Sequence, residues 1–301
     1  MKYRRSVTLL LLALMACAPA RAQEPEAAPS KDERLERILE KVGEGVEKYQ
    51  AELFRIAFTE TLTQQELRED MTPKKSKEHV FDTIVSREAM SEEEDDYYPK
   101  PVRRLRTIDG KPAKRARRRD AAAGAYVSSL AFLLPKHRKN FQFSLEGEEQ
   151  FEGRRAFRVR MLRPGEGPPR VEWRERLVGF SFYVFAPSVN FLWVDAETFD
   201  VLRYESRLAE PFEFDSPRAF SAGPLGRFGP SKRLRYTVHD YAVNFRRERF
   251  KDPEQTLLVP VAAEWTRVIE GASKPRTRAA LRFSDYRRFR SDVKVIEDAE
   301  N

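Results

Sequence analysis

After about residue 57 the apolar residues of this chain recur at every second position, in segment after segment separated by polar links. The segments are Phe58–Leu67, His79–Arg87, Val102–Ile108, Ala156–Leu162, Gly179–Phe185, Phe191–Asp195, Val201–Leu208, Arg233–Phe245, Leu257–Ile269 and Thr277–Phe289. Side chains of an extended chain alternate between two faces, so each segment reads as a strand. In Ala156–Leu162, for example, Phe157, Val159 and Met161 face one way and Arg158 and Arg160 the other. Successive strands with no regular strand–helix–strand alternation constrain the chain to a large antiparallel sheet. Asp109-Gly110 is a tight-turn signal, and Asp195–Asp200 has the polar character of a hairpin loop.

Two helices are expected beside the sheet. From Lys31 to about Ala57, the residues Leu35, Ile38, Leu39, Val42, Val46, Tyr49 and Leu53 draw one apolar stripe at helical spacing. Gly43 and Gly45 each weaken that helix by about 1 kcal/mol relative to Ala, which predicts a kink or break there. A second helix is expected over Ala121–Leu134, ended by Pro135.

One stretch departs from the alternation. Gly179–Ala186 puts Phe180, Phe182 and Val184 on one face and Tyr183 and Phe185 on the other, and Phe191–Val194 is likewise apolar on both faces. Such a strand is either covered on both sides or lines an apolar cavity. Phe180, Phe182, Tyr183, Phe185, Phe191 and Trp193 are therefore the candidate lining residues.

The N-terminus reads as an export signal. Lys2, Arg4 and Arg5 precede the apolar run Val7–Ala16, and Ala20-Arg21-Ala22 precedes Gln23 with small residues where a signal peptidase cuts. Ten apolar residues of helix reach about 15 Å, half of a bilayer's hydrocarbon core. Residues 1–22 are thus expected to be removed, 23–30 to form a disordered spacer, 31–296 to make one domain (with 135 as an alternative sub-boundary), and 297–301 to be a tail. The expected location is periplasmic or secreted. Leu14-Met15-Ala16-Cys17 also resembles a lipobox, so cleavage before Cys17 and lipid anchoring is the alternative. Cys17 is the single cysteine, which leaves no disulfide to stabilise the body.

The chain has 56 basic and 48 acidic residues, and the signal holds four of the former and none of the latter, so its loss lowers the formal charge from +8 to +4. That balance demands neither nucleic acid nor an anionic membrane. Charge is concentrated in two blocks. Glu92–Asp96 lacks the alternating oxygen ligands and glycine turn of a calcium loop. Arg103–Arg119 lacks the interleaved aromatics of a single-strand nucleic-acid platform. The basic residues Arg103, Arg104, Arg106, Arg117, Arg118 and Arg119 form a candidate surface for a partner or a membrane.

Signals for catalysis are weak. His79, His137 and His239 lie in separate segments, with no second ligand at metal-binding spacing, and His239 and Asp240 point to opposite faces of their strand. No nucleophile elbow, phosphate loop or dinucleotide fingerprint is present, and no carboxylate pair stands out. No cofactor or metal is expected.

The hairpin Phe191-Leu-Trp-Val-Asp-Ala-Glu-Thr-Phe-Asp-Val-Leu-Arg-Tyr-Glu205 resembles that of the periplasmic lipoprotein-carrier superfamily, which includes LolA, LolB and RseB-type domains. Gly153–Val159, Ile108–Pro112 and Phe283–Phe289 are similar to segments of exported bacterial proteins associated with that fold. The resemblance implies an α+β fold, an unclosed half-barrel whose concave side is covered by the N-terminal helix and a second helix, and a cavity for acyl chains. It supplies no catalytic set. The chain is about a third longer than the compact carriers. The leading reading is a non-enzymatic exported protein binding a lipid, an acylated protein or another apolar ligand. An envelope interaction or sensor module, using the sheet edge and the basic block, is the alternative, and a hydrolase the third. The sequence leaves the oligomeric state open.

Overall fold

The computed structural model describes residues 30–89, 97–113, 130–164, 167–175, 180–217, 231–251 and 254–288. The export signal with Cys17, the block Glu92–Asp96, Arg117–Arg119, most of the second expected helix and the C-terminal tail lie outside them.

Helix α1 spans Lys31–Leu53. Ser30 caps it in a capping box: its hydroxyl accepts the Glu33 amide at 3.2 Å, and the Glu33 carboxylate accepts the Ser30 amide at 2.8 Å. Asp32 and Glu33 add negative charge where the helix dipole favours it. All seven stripe residues are buried. The helix ends before the expected Ala57, and β1 begins at Ile56. It also runs unbroken through both glycines. A Cβ on Gly43 would come within 3.4 Å of the Leu133 carbonyl oxygen. The residue is small there because a second segment crosses the helix. That segment holds a 3-10 turn at Ala131–Leu133 and a one-turn helix α2, Pro135–Arg138. Pro135 opens a helical turn here, a position that suits its fixed φ, and does not end one.

The remaining elements are strands: β1 Ile56–Leu67, β2 Pro73–Ala89, β3 Tyr97–Ile108, β4 Lys111–Pro112, β5 Gln142–Phe151, β6 Arg154–Leu162, β7 Arg170–Glu175, β8 Phe180–Phe185, β9 Ser188–Asp195, β10 Val201–Leu208, β11 Phe212–Asp215, β12 Arg233–Lys251, β13 Glu254–Glu270 and β14 Arg276–Arg288. All but β7 and β8 join one 12-stranded sheet in the order β4-β3-β2-β1-β14-β13-β12-β10-β9-β6-β5, with β11 added on β12. Its pairings are antiparallel throughout. β3–β4 and β5 stand at opposite ends of the order and are not paired to each other, so the sheet is an unclosed half-barrel. β1 bridges β2 and β14, tying the first strands to the last.

β5, β7 and β11 did not stand out in the sequence. β5 is mostly polar, with Phe143 and Leu145 alone turned to the core and a register shift at Gly147. The α1 stripe packs on one face of the sheet against Phe58, Phe81, Leu145, Val159, Leu192, Val243, Val259 and Leu281. Each such side chain contributes about 1.5–3 kcal/mol on burial.

The core holds a buried ion pair. Ile56, Phe58, Glu60 and Leu62 are all buried at alternate positions of β1, and Glu60 is fully buried. Arg103 meets it from β3 in a two-point pair: Nη2 lies 2.8 Å from Oε1, and Nε donates to Oε2 at 2.8 Å. Thr83 on β2 donates to the same carboxylate at 3.4 Å. Arg103 therefore does not belong to the expected basic surface. It shares its face with buried Leu105, whereas Arg104 and Arg106 point to solvent. Arg106 lies 3.6 Å from Asp82.

Candidate functional site

β6 and β9 pair directly, and β7 and β8 are the connection between them. This connection leaves the sheet after Leu162 through Arg163-Pro164, crosses Gly167-Pro168-Pro169, forms a two-stranded ribbon and returns through Ala186-Pro187. Prolines at both ends remove amide donors that would otherwise extend β6 and β9.

The ribbon lies over the end of the sheet that α1 does not reach. Phe182 and Val184 pack on Leu234, Tyr236 and Ile269, with Phe212 and Phe214 beside them. The Phe182 ring sits 5.1 Å from Trp173 and 6.5 Å from Phe214, and the Arg267 guanidinium lies 5.4 Å from its centre. Trp173 Nε1 donates to the Asp215 carbonyl at 3.2 Å.

Beside this anchor an open cleft runs along the ribbon and its proline-flanked connections, and its smaller part reaches the sheet. Its larger part, about 520 Å³, is lined by Arg163, Pro164, Gly167, Arg170, Val184, Phe185 and Ala186. A smaller part of about 180 Å³ shares Val184 and Ala186 and adds Ser188, Ser206, Leu208 and His239. The combined lining is apolar in the middle, cationic at one end, and hydroxylic with an imidazole at the other. The cavity described between α1 and the sheet is small by contrast. A void of about 10 Å³ remains among Tyr49, Leu53, Ile56, Phe58, Val259, Pro260 and Tyr286, at the lower limit for one water.

His239 is held by Tyr236, whose hydroxyl lies 2.7 Å from Nδ1 with the two rings stacked at 5.7 Å. Burial, and then the nearby Arg267 charge, push the His239 pKa down against the opposing effect of Asp240. The imidazole is accordingly neutral at pH 7, and Nδ1 accepts from the phenol. Burial raises the Tyr236 pKa, which keeps that donor protonated. The hydroxylic end of the cleft can donate and accept hydrogen bonds without carrying charge.

The six aromatic candidates do not converge on one cavity. Phe185, 41% exposed, lines the cleft, and Tyr183, 44% exposed, lies on the ribbon's outer side. Phe182 anchors the ribbon to the sheet. Phe180 starts β8 opposite Glu175. Phe191 and Trp193 lie on the face of β9 opposite Leu192 and Val194, in a cluster with Phe151, Ala156 and Leu202. There the Arg158 guanidinium covers Phe191 at 4.5 Å and Trp193 at 5.6 Å, and Glu149 accepts the indole N–H. An arginine and neighbouring rings thus cover the second apolar face of β9. Among the sequence-derived candidates Arg163, Arg170, Leu208 and His239 were missing. Proline-flanked Arg163 and Arg170 are the one group that sequence punctuation could have pointed to.

The hairpin motif has a structural explanation. Buried Asp195 accepts the amides of Glu197 at 2.9 Å and Thr198 at 2.8 Å, and lies 2.7 Å from Arg154. Burial raises its pKa, but those amides and Arg154 outweigh it and hold the carboxylate below its usual range. Asp195 closes the β9–β10 turn. Among the described residues no group of three or more His, Cys, Asp or Glu is placed to hold a metal ion, and no helix is long and apolar enough to cross a membrane.

No protein-family model and no curated protein matches the sequence. Solved structures similar to this one include a DUF1329-family protein from Desulfovibrio piger, with 11% identity, a TM-score of 0.37, and coverage of 86% of this chain and 94% of that one. A putative outer membrane lipoprotein-sorting protein domain from Vibrio parahaemolyticus has 9% identity and a TM-score of 0.37, over 84% and 94% of the two chains. A LolA superfamily protein from Nitrosomonas europaea has 11% identity and a TM-score of 0.34, over 85% and 93%. The superfamily that the hairpin sequence resembles is thus among the structures this chain is similar to. The TM-scores are too low to carry an argument, and the half-barrel stands on the strand order itself.

Proposed function

We propose that this is an exported, non-enzymatic protein of the cell envelope that binds a lipid, a lipoprotein acyl chain or another apolar ligand. The binding place is the cleft along the β7–β8 ribbon, and residues 31–296 act as one unit around it. The observation that supports this reading most is the contrast between the core under α1 and the ribbon. Among the described residues a void of about 10 Å³ lies beside Tyr49 and Tyr286, whereas about 520 Å³ stays open beside Val184, Phe185 and Ala186. A volume of that size is typical of small-molecule sites. Each methylene buried there contributes about 0.8 kcal/mol toward offsetting the cost of association.

Native mass spectrometry and lipid extraction of the protein purified from its own host test the proposal. The expected result is an apolar adduct that is lost when Val184→Asp places a charge in the cleft. Protein that carries no adduct, and that takes up no added lipid, would overturn the reading. Intact mass of the N-terminus separates cleavage after Ala22 from acylation at Cys17.

A further inference from the structure

We infer that the cleft selects an anionic amphiphile, with its acid group between Arg163 and Arg170 and one chain along Val184–Ala186. The inference rests on the cleft being the binding place and adds the chemistry of the ligand's head. Two guanidinium groups line the same ≈520 Å³ space, one entering from the end of β6 and one from the start of β7. Both are positioned by aromatic rings: Arg170 lies 4.3 Å from the Phe185 ring centre, and Arg163 lies 6.0 Å from that of Phe141. A guanidinium stacked on a ring keeps its N–H donors in its own plane, free to grip a carboxylate or phosphate from the side.

The surrounding charges favour the same occupant. Arg170 Nε approaches Glu172 at 3.4 Å, an exposed contact that a ligand acid can replace at little cost. Arg163 has no ion-pair partner among the described residues. At the far end the neutral His239, Ser188 and Ser206 offer hydrogen bonds without a charge to repel or attract a second head.

Calorimetric titration of the delipidated full chain with decanoate, 1-decanol, decyltrimethylammonium and inorganic phosphate tests this, each below its aggregation limit. Decanoate is expected to bind at least tenfold more tightly than decanol, with decyltrimethylammonium and phosphate weaker still. In Arg163→Gln/Arg170→Gln, decanoate should fall to the affinity of decanol while decanol is unchanged. Both arginines are exposed, and an unaltered melting temperature checks that the variant is folded. Equal binding of decanoate and decanol, unaffected by the double variant, overturns the anionic preference and leaves the cleft as the binding place. Tightest binding of the cation overturns it also. Phosphate binding as tightly as decanoate removes the role of the chain. Failure of all three chain compounds to bind overturns the cleft reading itself.

Discussion

The two ends of the covered face share strands but are finished in opposite ways. Under α1 a helix supplies a buried side chain at nearly every turn, and a void of about 10 Å³ lies beside Tyr49 and Tyr286. Under β7–β8 a two-stranded ribbon supplies every second residue: Phe182 and Val184 face the sheet, and Tyr183 and Phe185 on the other face are exposed, Phe185 along the open cleft. The ribbon is anchored around Phe182 and Trp173, and an open cleft runs along it. What a sheet's concave side can bind is thus decided by the geometry of its cover. A helical stripe fills the space, and a ribbon pinned at one end leaves a cleft.

The largest test of this contrast lies in the filled end. Arg103→Leu strands the buried Glu60 carboxylate, and unfolding in urea should show a loss of about 3–5 kcal/mol. The double replacement Glu60→Leu/Arg103→Leu should recover most of it, because a dry apolar pair needs no ion partner. Next, Ile38→Ala on α1 should cost about 2–5 kcal/mol, as expected of a closely packed core. Val184→Ala, beside open space, should cost about 1 kcal/mol by the same measurement, and equal losses at the two sites would break the comparison. Gly45→Ala should stabilise the chain by about 1 kcal/mol, since nothing lies within 4 Å of the added methyl and the helix gains propensity.

The smallest effect concerns pH. His239 is depressed below its unfolded value near 6.5, so the unfolded chain binds a proton that the folded chain refuses. Stability from this group is present above about pH 6.5 and is lost as pH falls below it, levelling once the folded imidazole is protonated. His239→Gln should flatten that part of the stability–pH curve. An unchanged slope would mean that the ribbon end carries no titrating group.

Much of this contrast was legible in the chain itself. Seven residues at helical spacing gave α1 its buried face, because a long amphipathic pattern averages over local exceptions such as Gly43. Strands with clean alternation, β6 among them, were equally plain. The Glu60–Arg103 pair was missed although its signal was present. Glu60 shares its parity with Ile56, Phe58 and Leu62, and Arg103 shares its parity with Leu105. Read as part of a charge block, Arg103 looks exposed, whereas read by face it points inward. The cleft was less accessible. Local pattern says that β8 is apolar on both sides, but only the placement of the ribbon across β11, β12 and β13 determines which aromatic side chain anchors and which lines a space. Phe191 and Trp193 show the same limit, since an arginine on β6 covers them from a distance in sequence.

The open strand order has a consequence for handling this protein. A closed barrel has no free backbone donors or acceptors along its rim, but a sheet whose described strands end at β5 has an edge there among the described residues. Glu146, Glu148 and Glu149 and the irregularity at Gly147 along β5 work against stacking of one molecule's rim on another's. That protection is electrostatic. High salt should therefore promote aggregation from β5 well before the helix-covered core gives way.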